Sequence, residues 1–376
     1  MPVPPLASDL NASGGAPSRR DVLRLLGLGA LAAPLAGTGV AAAQTAHETT
    51  RRLPLVKPPR LRYGDTVGLV CPASRLDGPG VLEEAQEVVE ALGFRAKVGR
   101  YCLTRHGYLA GTDADRAADL MEMFTDRDVH AVLALRGGWG CARLLPLLDF
   151  DAIRANPKPL IGYSDITALL LAIYQKSGLV TFHGPVGRST WTTATIESFR
   201  DVLVHGRTPA FGEDAPDGEG ADEGEASGPF ERRRDFLPVR AGVAEGPLVG
   251  GNLSVLAGLV GTPYLPSFAG HVLFVEEVAE SLYRIDRMLT QLRLAGAFDE
   301  MAALVFGQCR RCTDDGDVPG DGLRWLLRDQ LQGLRVAAWT GAPIGHVSPV
   351  YTLPVGTRVV TDAALGTLAM LEPAVD

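Results

Sequence analysis

Short apolar runs alternate with stretches of helical periodicity between residues 65 and 183, and this alternation constrains the fold more than any other feature of the chain. The runs lack the polar alternation of a half-exposed sheet, so they predict strands that are buried on both faces. The predicted strands are 65–70, 94–98, 129–135, 158–161 and 179–182, and the predicted helices are 81–92, 113–124, 142–148 and 166–175. Strands that alternate with helices favour an α/β domain built on a parallel, Rossmann-like sheet.

The second half of the chain is less regular and predicts a mixed α/β domain. A glycine-rich turn at 245–253 enters a predicted helix at 253–259, and a second helix is predicted at 281–294. The predicted strands are 271–275, 303–306, 343–344 and 358–361.

A strongly acidic segment separates the two halves. Residues 213–225 carry seven acidic side chains among glycine, alanine and proline, which is typical of a linker or a mobile excursion because such a segment cannot bury enough apolar surface. We therefore expect an N-terminal α/β domain at 60–205, an acidic linker or insert at 206–245, and a C-terminal domain at 246–376.

The first 43 residues predict an export signal rather than part of the fold. The pattern Ser18-Arg19-Arg20-Asp21 precedes an apolar segment at 25–36, which is shorter than the roughly 20 residues of a spanning helix. Small residues follow at 41–43, as at signal cleavage sites. We interpret 1–43 as a twin-arginine (Tat) signal peptide, which predicts a periplasmic or otherwise exported protein with no membrane span after signal removal. The alternative is a disordered tail with an accidental arginine pair.

Charge and cysteine content exclude some classes of protein. The net charge is −8 and no basic stripe stands out, which argues against a nucleic-acid partner. Five scattered cysteines are too few for a disulfide scaffold. The segment Cys309-Arg310-Arg311-Cys312 has the spacing of a redox or zinc motif, but no second pair or histidine cluster completes it. We interpret it as incidental, with a disulfide allowed in an exported protein.

A candidate nucleophile lies in Gly162-Tyr163-Ser164-Asp165, between a predicted strand and a predicted helix. A serine in such a turn projects its hydroxyl out of the sheet, and the unpaired N–H groups of the first helical turn can stabilise an oxyanion. The match to the nucleophile-elbow pattern G-x-S-x-G is partial because Ile166 holds the last position. The same residues also suit an ordinary helix N-cap, and the spacing alone does not exclude that alternative.

A glycine-rich loop, Arg136-Gly137-Gly138-Trp139-Gly140, follows another predicted strand. The carboxyl ends of parallel strands share one edge of a sheet, so this loop and Ser164 are expected on the same edge. Adjacent glycines let the backbone approach a ligand, and their N–H groups could complete an oxyanion hole. A phosphate-binding turn is the alternative, but neither G-x-G-x-x-G nor a Walker lysine is present.

An activated serine needs a base and an acid that orients the base. Two of the seven histidines, His183 and His346, follow apolar runs, and for each of them a structural role is the alternative. Glu276 ends an otherwise apolar strand, where a carboxylate is costly unless it has a partner. A solvated strand end is the alternative for Glu276.

The chain resembles the LD-carboxypeptidase family, which includes the microcin C immunity peptidases, over most of residues 60–370. Seven segments occur in the order seen in that family. They are DTVGLVCPAS (65–74), RGGWG (136–140), IGYSD (161–165), TFHGP (181–185), GGNL (250–253), FVEEVAESLYRIDR (274–287) and Gly345-His346.

The resemblance implies a serine peptidase that needs no metal or other cofactor. Its triad would consist of Ser164 as nucleophile, Glu276 (rather than Glu277) as acid and His346 as base. The implied oxyanion donors are the backbone N–H groups of Gly138 and Asp165. The substrate would be a small peptide, a muropeptide whose terminal D-alanine is released, and the protein would be a homodimer.

Several residues are candidates for binding that peptide. The free carboxylate of an exopeptidase substrate requires a cation, for which Arg136 and Arg143 are candidates, and the other pocket candidates are Gly137, Trp139 and His183. Trp139 stands where the family frequently has tyrosine, and both the acidic insert and the export signal depart from the family. One alternative is a peptidyl- or aminoacyl-nucleotide substrate whose base stacks on Trp139. Another is a non-catalytic periplasmic peptide-binding protein.

Overall fold

The computed structural model describes residues 53–212, 236–313 and 321–376. The predicted signal peptide and the whole acidic segment 213–225 therefore lie outside the described residues. The strands are β1 (Thr66–Val70), β2 (Arg95–Val98), β3 (Ala131–Ala134), β4 (Leu160–Gly162), β5 (Thr181–His183), β6 (Ala210–Gly212), β7 (Leu237–Arg240), β8 (Val243–Asn252), β9 (Val272–Val278), β10 (Ala303–Arg310), β11 (Ala337–Ala342), β12 (Leu353–Val355), β13 (Arg358–Asp362) and β14 (Thr367–Met370).

The helices connect these strands, and none in the described ranges is long and apolar enough to cross a membrane. They are α1 (Pro79–Ala91), α2 (Asp113–Thr125), α3 (Phe150–Ala155), α4 (Thr167–Ser177), α5 (Thr193–Leu203), α6 (Leu253–Leu259), α7 (Leu282–Leu294) and α8 (Gly322–Leu331). Two 3₁₀ turns, Cys141–Leu147 and Ser164–Ile166, complete the described helical structure.

The first sheet confirms the predicted parallel α/β arrangement. Its strand order is β12-β5-β4-β3-β1-β2, and β1 to β5 pair in parallel. The edge strand β12 pairs antiparallel to β5, although it comes from the last part of the chain. Strands β1, β3, β4 and β5 are almost wholly buried, as their continuous apolar character predicts.

The second sheet is mixed, as predicted for the second half of the chain. Its order is β6-β14-β13-β8-β9-β10-β11-β7. The central strands β8, β9, β10 and β11 are parallel, and the strands at both edges are antiparallel.

The predicted turn at 245–253 is wrong, because residues 245–252 belong to the ten-residue strand β8 and Leu253 begins α6. Glycine and proline there suggest a turn, but a Cβ at Gly250 would overlap the carbonyl oxygen of Phe274 on the neighbouring strand. A glycine inside a strand often marks such a close backbone approach. Its presence in β8 therefore reflects packing against β9.

Other boundaries also differ from the sequence prediction. The predicted strand at 343–344 is wrong: β11 ends at Ala342, directly before Pro343, which has no N–H to continue the ladder. The predicted helix at 142–148 is a 3₁₀ helix with Pro146 inside it. Strand β9 continues through Glu276 and Glu277 to Val278, so both carboxylates lie within the sheet rather than at a solvated end.

Helix α4 lies between the two sheets and fixes the position of the turn that precedes it. It is buried along nearly its whole length and contacts both β5 and β8, as expected for a helix that is apolar on all sides. At its first residue, the Thr167 hydroxyl accepts a hydrogen bond of 3.0 Å from the N–H of Asn252. A Cβ at Gly251 would collide with the same threonine, so β8 and α4 meet closely at this point.

Candidate active site

Ser164 occupies a strained turn at the carboxyl end of β4. Its φ is 64°, in the left-handed region that residues with a Cβ rarely adopt, at a cost of roughly 1–2 kcal/mol. Gly162 allows the tight turn because a Cβ there would lie 2.9 Å from the Ile166 side chain. Neither the 3₁₀ turn nor α4 begins with a side-chain cap, so the N-cap alternative is wrong. Strain of this kind is often retained where it positions a reactive group.

The glycine-rich loop after β3 lies directly against Ser164. A Cβ on Gly137 would be 2.7 Å from the Ser164 Cβ, 2.8 Å from its Oγ and 3.4 Å from the backbone nitrogen of Asp165. Gly138 has φ 118° and faces Ser74, whose hydroxyl accepts a hydrogen bond from the N–H of Trp139. The loop therefore brings backbone groups, rather than side chains, beside the serine.

The carboxylate of Asp165 makes a structural hydrogen bond. It accepts a 2.8 Å hydrogen bond from the N–H of Cys141 and is buried. Burial raises its pKa. This contact connects the Ser164 turn to the 3₁₀ helix that follows the glycine-rich loop. The backbone N–H of Asp165 is a separate group, in the 3₁₀ turn that begins at Ser164.

A buried carboxylate on the second sheet forms a close pair with a histidine in the segment that follows β11. Glu276 on β9 is 0% exposed, and its Oε2 lies 2.8 Å from Nδ1 of His346. Burial by itself raises the pKa of Glu276, but the hydrogen bond and charge of His346 outweigh it and hold that pKa below its ordinary value. Glycines make room for the pair, since a Cβ at Gly345 would lie 2.6 Å from Oε2 and one at Gly307 would lie 3.1 Å from the Glu276 Cβ.

The neighbouring carboxylate, Glu277, points to the other face of the strand and has different partners. Its Oε1 accepts from the Asn252 side-chain amide at 2.9 Å, and its Oε2 accepts from both the N–H and the hydroxyl of Ser254. These bonds hold the start of α6 against β9. Of the two adjacent glutamates, Glu276 is therefore the one that orients His346.

Ser164 and His346 line the same cleft, whose volume is about 480 Å³. The His346 ring lies 4.9 Å from the ring of Tyr163, the residue just before the serine, measured between centroids. Because Nδ1 of His346 faces Glu276, Nε2 is the ring nitrogen left for chemistry in the cleft. A strained serine, nearby backbone N–H groups and a carboxylate-oriented histidine are the parts that nucleophilic acyl transfer requires.

The predicted pocket residues divide into two groups. Arg136, Gly137 and Gly138 line the cleft, and Arg136 is held there by hydrogen bonds to the carbonyl oxygens of Arg75 and Gly137. Trp139 is 54% exposed and does not line the cleft.

Two other candidates lie away from the cleft lining. Arg143 pairs with Asp113 at 2.9 Å. His183 is fully buried, edge-on to the rings of Tyr163 and Phe274, and burial lowers its pKa to about 4. His183 therefore packs beneath the site as a neutral ring.

Several lining residues escape the sequence prediction. Arg188, Ser189 and Thr190 follow β5, Arg310 is the last residue of β10, and Arg311 follows it. Two sequence signals were available to find them: the position of Arg188, Ser189 and Thr190 after a predicted strand, and the Cys-x-x-Cys spacing around Arg310 and Arg311. Cys309 and Cys312 form a disulfide, so the segment interpreted as incidental holds two arginines at the cleft.

Family models match both halves of the chain. The model described as the LD-carboxypeptidase N-terminal domain matches residues 67–184, and the C-terminal domain model of the same family matches residues 245–360. The chain belongs to the LD-carboxypeptidase family. It is therefore a serine peptidase, rather than a non-catalytic binding protein.

Individual members of the LD-carboxypeptidase family resemble the chain over most of their length. A probable murein peptide carboxypeptidase of Bacillus subtilis is 39% identical over 82% of this chain and 92% of that protein. A muramoyltetrapeptide carboxypeptidase structure from Oxalobacter formigenes is 29% identical with a TM-score of 0.68, covering 81% of this chain and 97% of the other. A structure of MccF in complex with glutamyl sulfamoyl guanosine is 26% identical with a TM-score of 0.75, covering 86% and 100%.

Proposed function

We propose that this LD-carboxypeptidase hydrolyses the L,D peptide bond of murein tetrapeptides and releases the terminal D-alanine. The observation that carries the proposal is the 2.8 Å contact between Glu276 and His346 in a cleft that also contains Ser164. The names of relatives that act on murein peptides support the substrate class.

In the proposed mechanism, His346 Nε2 takes the proton of the Ser164 hydroxyl while Oγ attacks the carbonyl carbon of the L,D bond. The N–H groups of Asp165 and Gly138 donate to the oxyanion that forms. Glu276 accepts from Nδ1–H and stabilises the imidazolium. The imidazolium then protonates the leaving amine, so that D-alanine departs and an acyl-enzyme remains. A water molecule, deprotonated by His346, hydrolyses this ester and restores Ser164.

The cellular setting is part of the same proposal. A Tat signal at 1–43 would export the folded enzyme, so that it meets murein peptides outside the cytoplasmic membrane, and the enzyme would act as a homodimer. Fractionation of cells that express the full chain tests export, with Arg19→Lys/Arg20→Lys as the variant that should remain inside.

Release of D-alanine from a synthetic tetrapeptide tests the chemistry. Ser164→Ala should lower kcat by at least about 10⁴-fold, because the nucleophile is lost. The matched control is Ser267→Ala, at an exposed serine outside the cleft, which should behave as wild type. Turnover by Ser164→Ala close to that of wild type would exclude Ser164 as the nucleophile.

A second candidate function uses the same triad on a peptidyl- or aminoacyl-nucleotide. It is favoured by the likeness to MccF, whose structure was determined with glutamyl sulfamoyl guanosine, and by the exposed ring of Trp139 within the glycine-rich loop. Parallel assays with a tetrapeptide and a hydrolysable aminoacyl-nucleotide analogue separate the two. A higher kcat/KM on the nucleotide, lost in Trp139→Ala, would favour the second candidate.

A further inference from the structure

The four residues Cys309-Arg310-Arg311-Cys312, here called the arginine loop, form part of the cleft wall. Cys309 and Arg310 are the last two residues of β10, and Arg311 and Cys312 follow that strand. Strand β10 pairs in parallel with β9, so that Cys309 lies opposite Glu277 and Arg310 opposite Val278. The loop thus begins next to the end of the strand that carries Glu276. Both arginines line the cleft together with Ser164 and His346.

The arginine loop is held in a defined conformation. A disulfide joins Cys309 to Cys312 across the two arginines. Arg311 has φ 56°, a left-handed conformation that favours glycine, yet an arginine occupies the position. The N–H of Ala279 donates to the Arg310 carbonyl at 2.9 Å, and Thr313 N–H donates to the Glu280 carbonyl at 3.0 Å. Hydrogen bonds therefore fix the backbone on both sides of the loop. Position 311 carries an arginine although glycine would adopt this backbone conformation at a lower free-energy cost.

Four arginines line the cleft. They are Arg136, Arg188, Arg310 and Arg311. Arg136 and Arg188 share the exposed carboxylate of Asp77, at 3.8 and 4.0 Å. A guanidinium matches a carboxylate through two parallel N–H donors, which makes arginine suited to recognising this group.

We propose that Arg310 and Arg311 bind a carboxylate of the substrate peptide and that the Cys309–Cys312 disulfide holds them in the binding arrangement. The inference rests on the proposed function in that it takes the substrate to be a peptide. Two carboxylates share this chemistry: the terminal carboxylate of the departing residue and a side-chain carboxylate on an inner residue. The arginines determine specificity and make no bond to the reacting carbonyl.

The test measures kcat and KM on four synthetic tetrapeptides ending in D-alanine, with each of the two carboxylates either free or amidated. Arg310→Gln/Arg311→Gln should raise KM for the doubly free peptide on the order of tenfold, because charge-assisted hydrogen bonds are lost, with kcat within about twofold. Arg310→Lys/Arg311→Lys should recover part of this loss. The matched control is Arg207→Gln, at an exposed arginine paired with Asp201.

Amidation identifies which carboxylate is bound. The difference in KM between wild type and the double Gln variant should vanish when the recognised carboxylate is amidated, and should persist when the other one is. An unchanged KM for the doubly free peptide would overturn the inference. A rise in KM that is equally large for the doubly amidated peptide would overturn it too.

The role of the disulfide is tested with Cys309→Ser/Cys312→Ser. This variant should raise KM for the free-carboxylate peptide and add little when combined with the double Gln variant, because both changes remove the same contact. A purely structural role would instead lower kcat, or raise KM, alike for free and amidated peptides. That outcome, or fully additive effects, would overturn the positioning role.

A binding measurement separates this inference from the proposed function. Calorimetric titration of the same four peptides into Ser164→Ala, with and without the Arg310→Gln/Arg311→Gln change, reports carboxylate recognition without turnover. Arginine-dependent binding with no release of D-alanine by wild type would overturn the proposed function and leave the inference standing. Release of D-alanine by wild type together with binding that does not depend on the arginines would overturn the inference and leave the proposed function standing.

Discussion

Replacing Glu276 by glutamine changes one buried charge in the candidate triad and keeps the shape of the side chain. The Glu276 carboxylate is fully buried and lies 2.8 Å from Nδ1 of His346. In the proposed transition state His346 carries a positive charge, and the Glu276 carboxylate is hydrogen-bonded to it. Two unit charges centred about 4 Å apart interact by about 4 kcal/mol at an effective dielectric constant of about 20. Loss of that term corresponds to about a 10³-fold fall in kcat.

The assay is D-alanine release from the tetrapeptide, and the matched control is Glu277→Gln. Glu277 bonds to Asn252 and Ser254 rather than to His346, so its replacement should change stability while kcat falls less than about tenfold. KM should change little in Glu276→Gln, because the contact is made within the enzyme rather than to the substrate. A Glu276→Gln enzyme with kcat within tenfold of wild type would refute the assigned role. So would equal losses in the two variants.

The close packing at Ser164, the buried charge of Glu276 and the state of the cysteines each have a measurable consequence. Gly137→Ala should lower kcat on the order of 100-fold, measured by D-alanine release, because a Cβ 2.7 Å from the Ser164 Cβ displaces the serine; normal kcat would contradict this close approach. Glu276 has a pKa below its ordinary 4.5, so its ionised form contributes stability above about pH 4.5 that is lost as the pH falls through the lower, folded-state pKa. In urea titrations, the free energy of unfolding of wild type minus that of Glu276→Gln should be constant above about pH 5.5 and should decrease below pH 4.5. A difference that changes only near neutral pH would contradict the assignment. Iodoacetamide at pH 8 should modify no cysteine in the native protein, three after unfolding and five after reduction, counted by mass spectrometry. The free thiols are buried, which raises the pKa of Cys71 to about 12; four or five modified cysteines without reductant would contradict the disulfide.

The first sheet was predictable because its strands carry their own signal. Continuous apolar runs such as Ala131–Ala134 and Leu160–Gly162 are buried on both faces, and helices between them leave a parallel sheet as the consistent solution. Ser164 follows from its place after such a strand. The left-handed backbone of Ser164 was not predictable from residue type, because serine gives no local signal for a conformation that its surroundings impose.

The second sheet was harder to predict because its strands depend on long-range contacts. Strand β8 contains four consecutive positions, Leu248 to Gly251, whose glycines look like a turn until β9 and α4 are seen beside them. The partnership of Glu276 and His346 spans 70 positions in sequence, so only the resemblance to a family named it in advance. Arg310 and Arg311 have no periodic pattern, and their place at the cleft depends on where β10 ends.

The candidate triad is divided between two sheets: one sheet supplies the acid–base pair, and the other supplies the nucleophile and the N–H groups beside it. Both members of the candidate acid–base pair are supplied from the second sheet, since Glu276 lies on β9 and His346 lies in the segment after β11. The nucleophile and its neighbouring N–H groups are complete within the first sheet, at the ends of β4 and β3. The packing of α4 helps to join them, since Thr167, three residues after the serine, accepts a hydrogen bond from the N–H of Asn252 on β8. The segment that carries His346 also runs into β12, which pairs with β5 of the first sheet, and the His346 ring contacts that of Tyr163. The position of His346 relative to Ser164 therefore depends on contacts between the two sheets, whereas its hydrogen bond to Glu276 is made on the side of the second sheet.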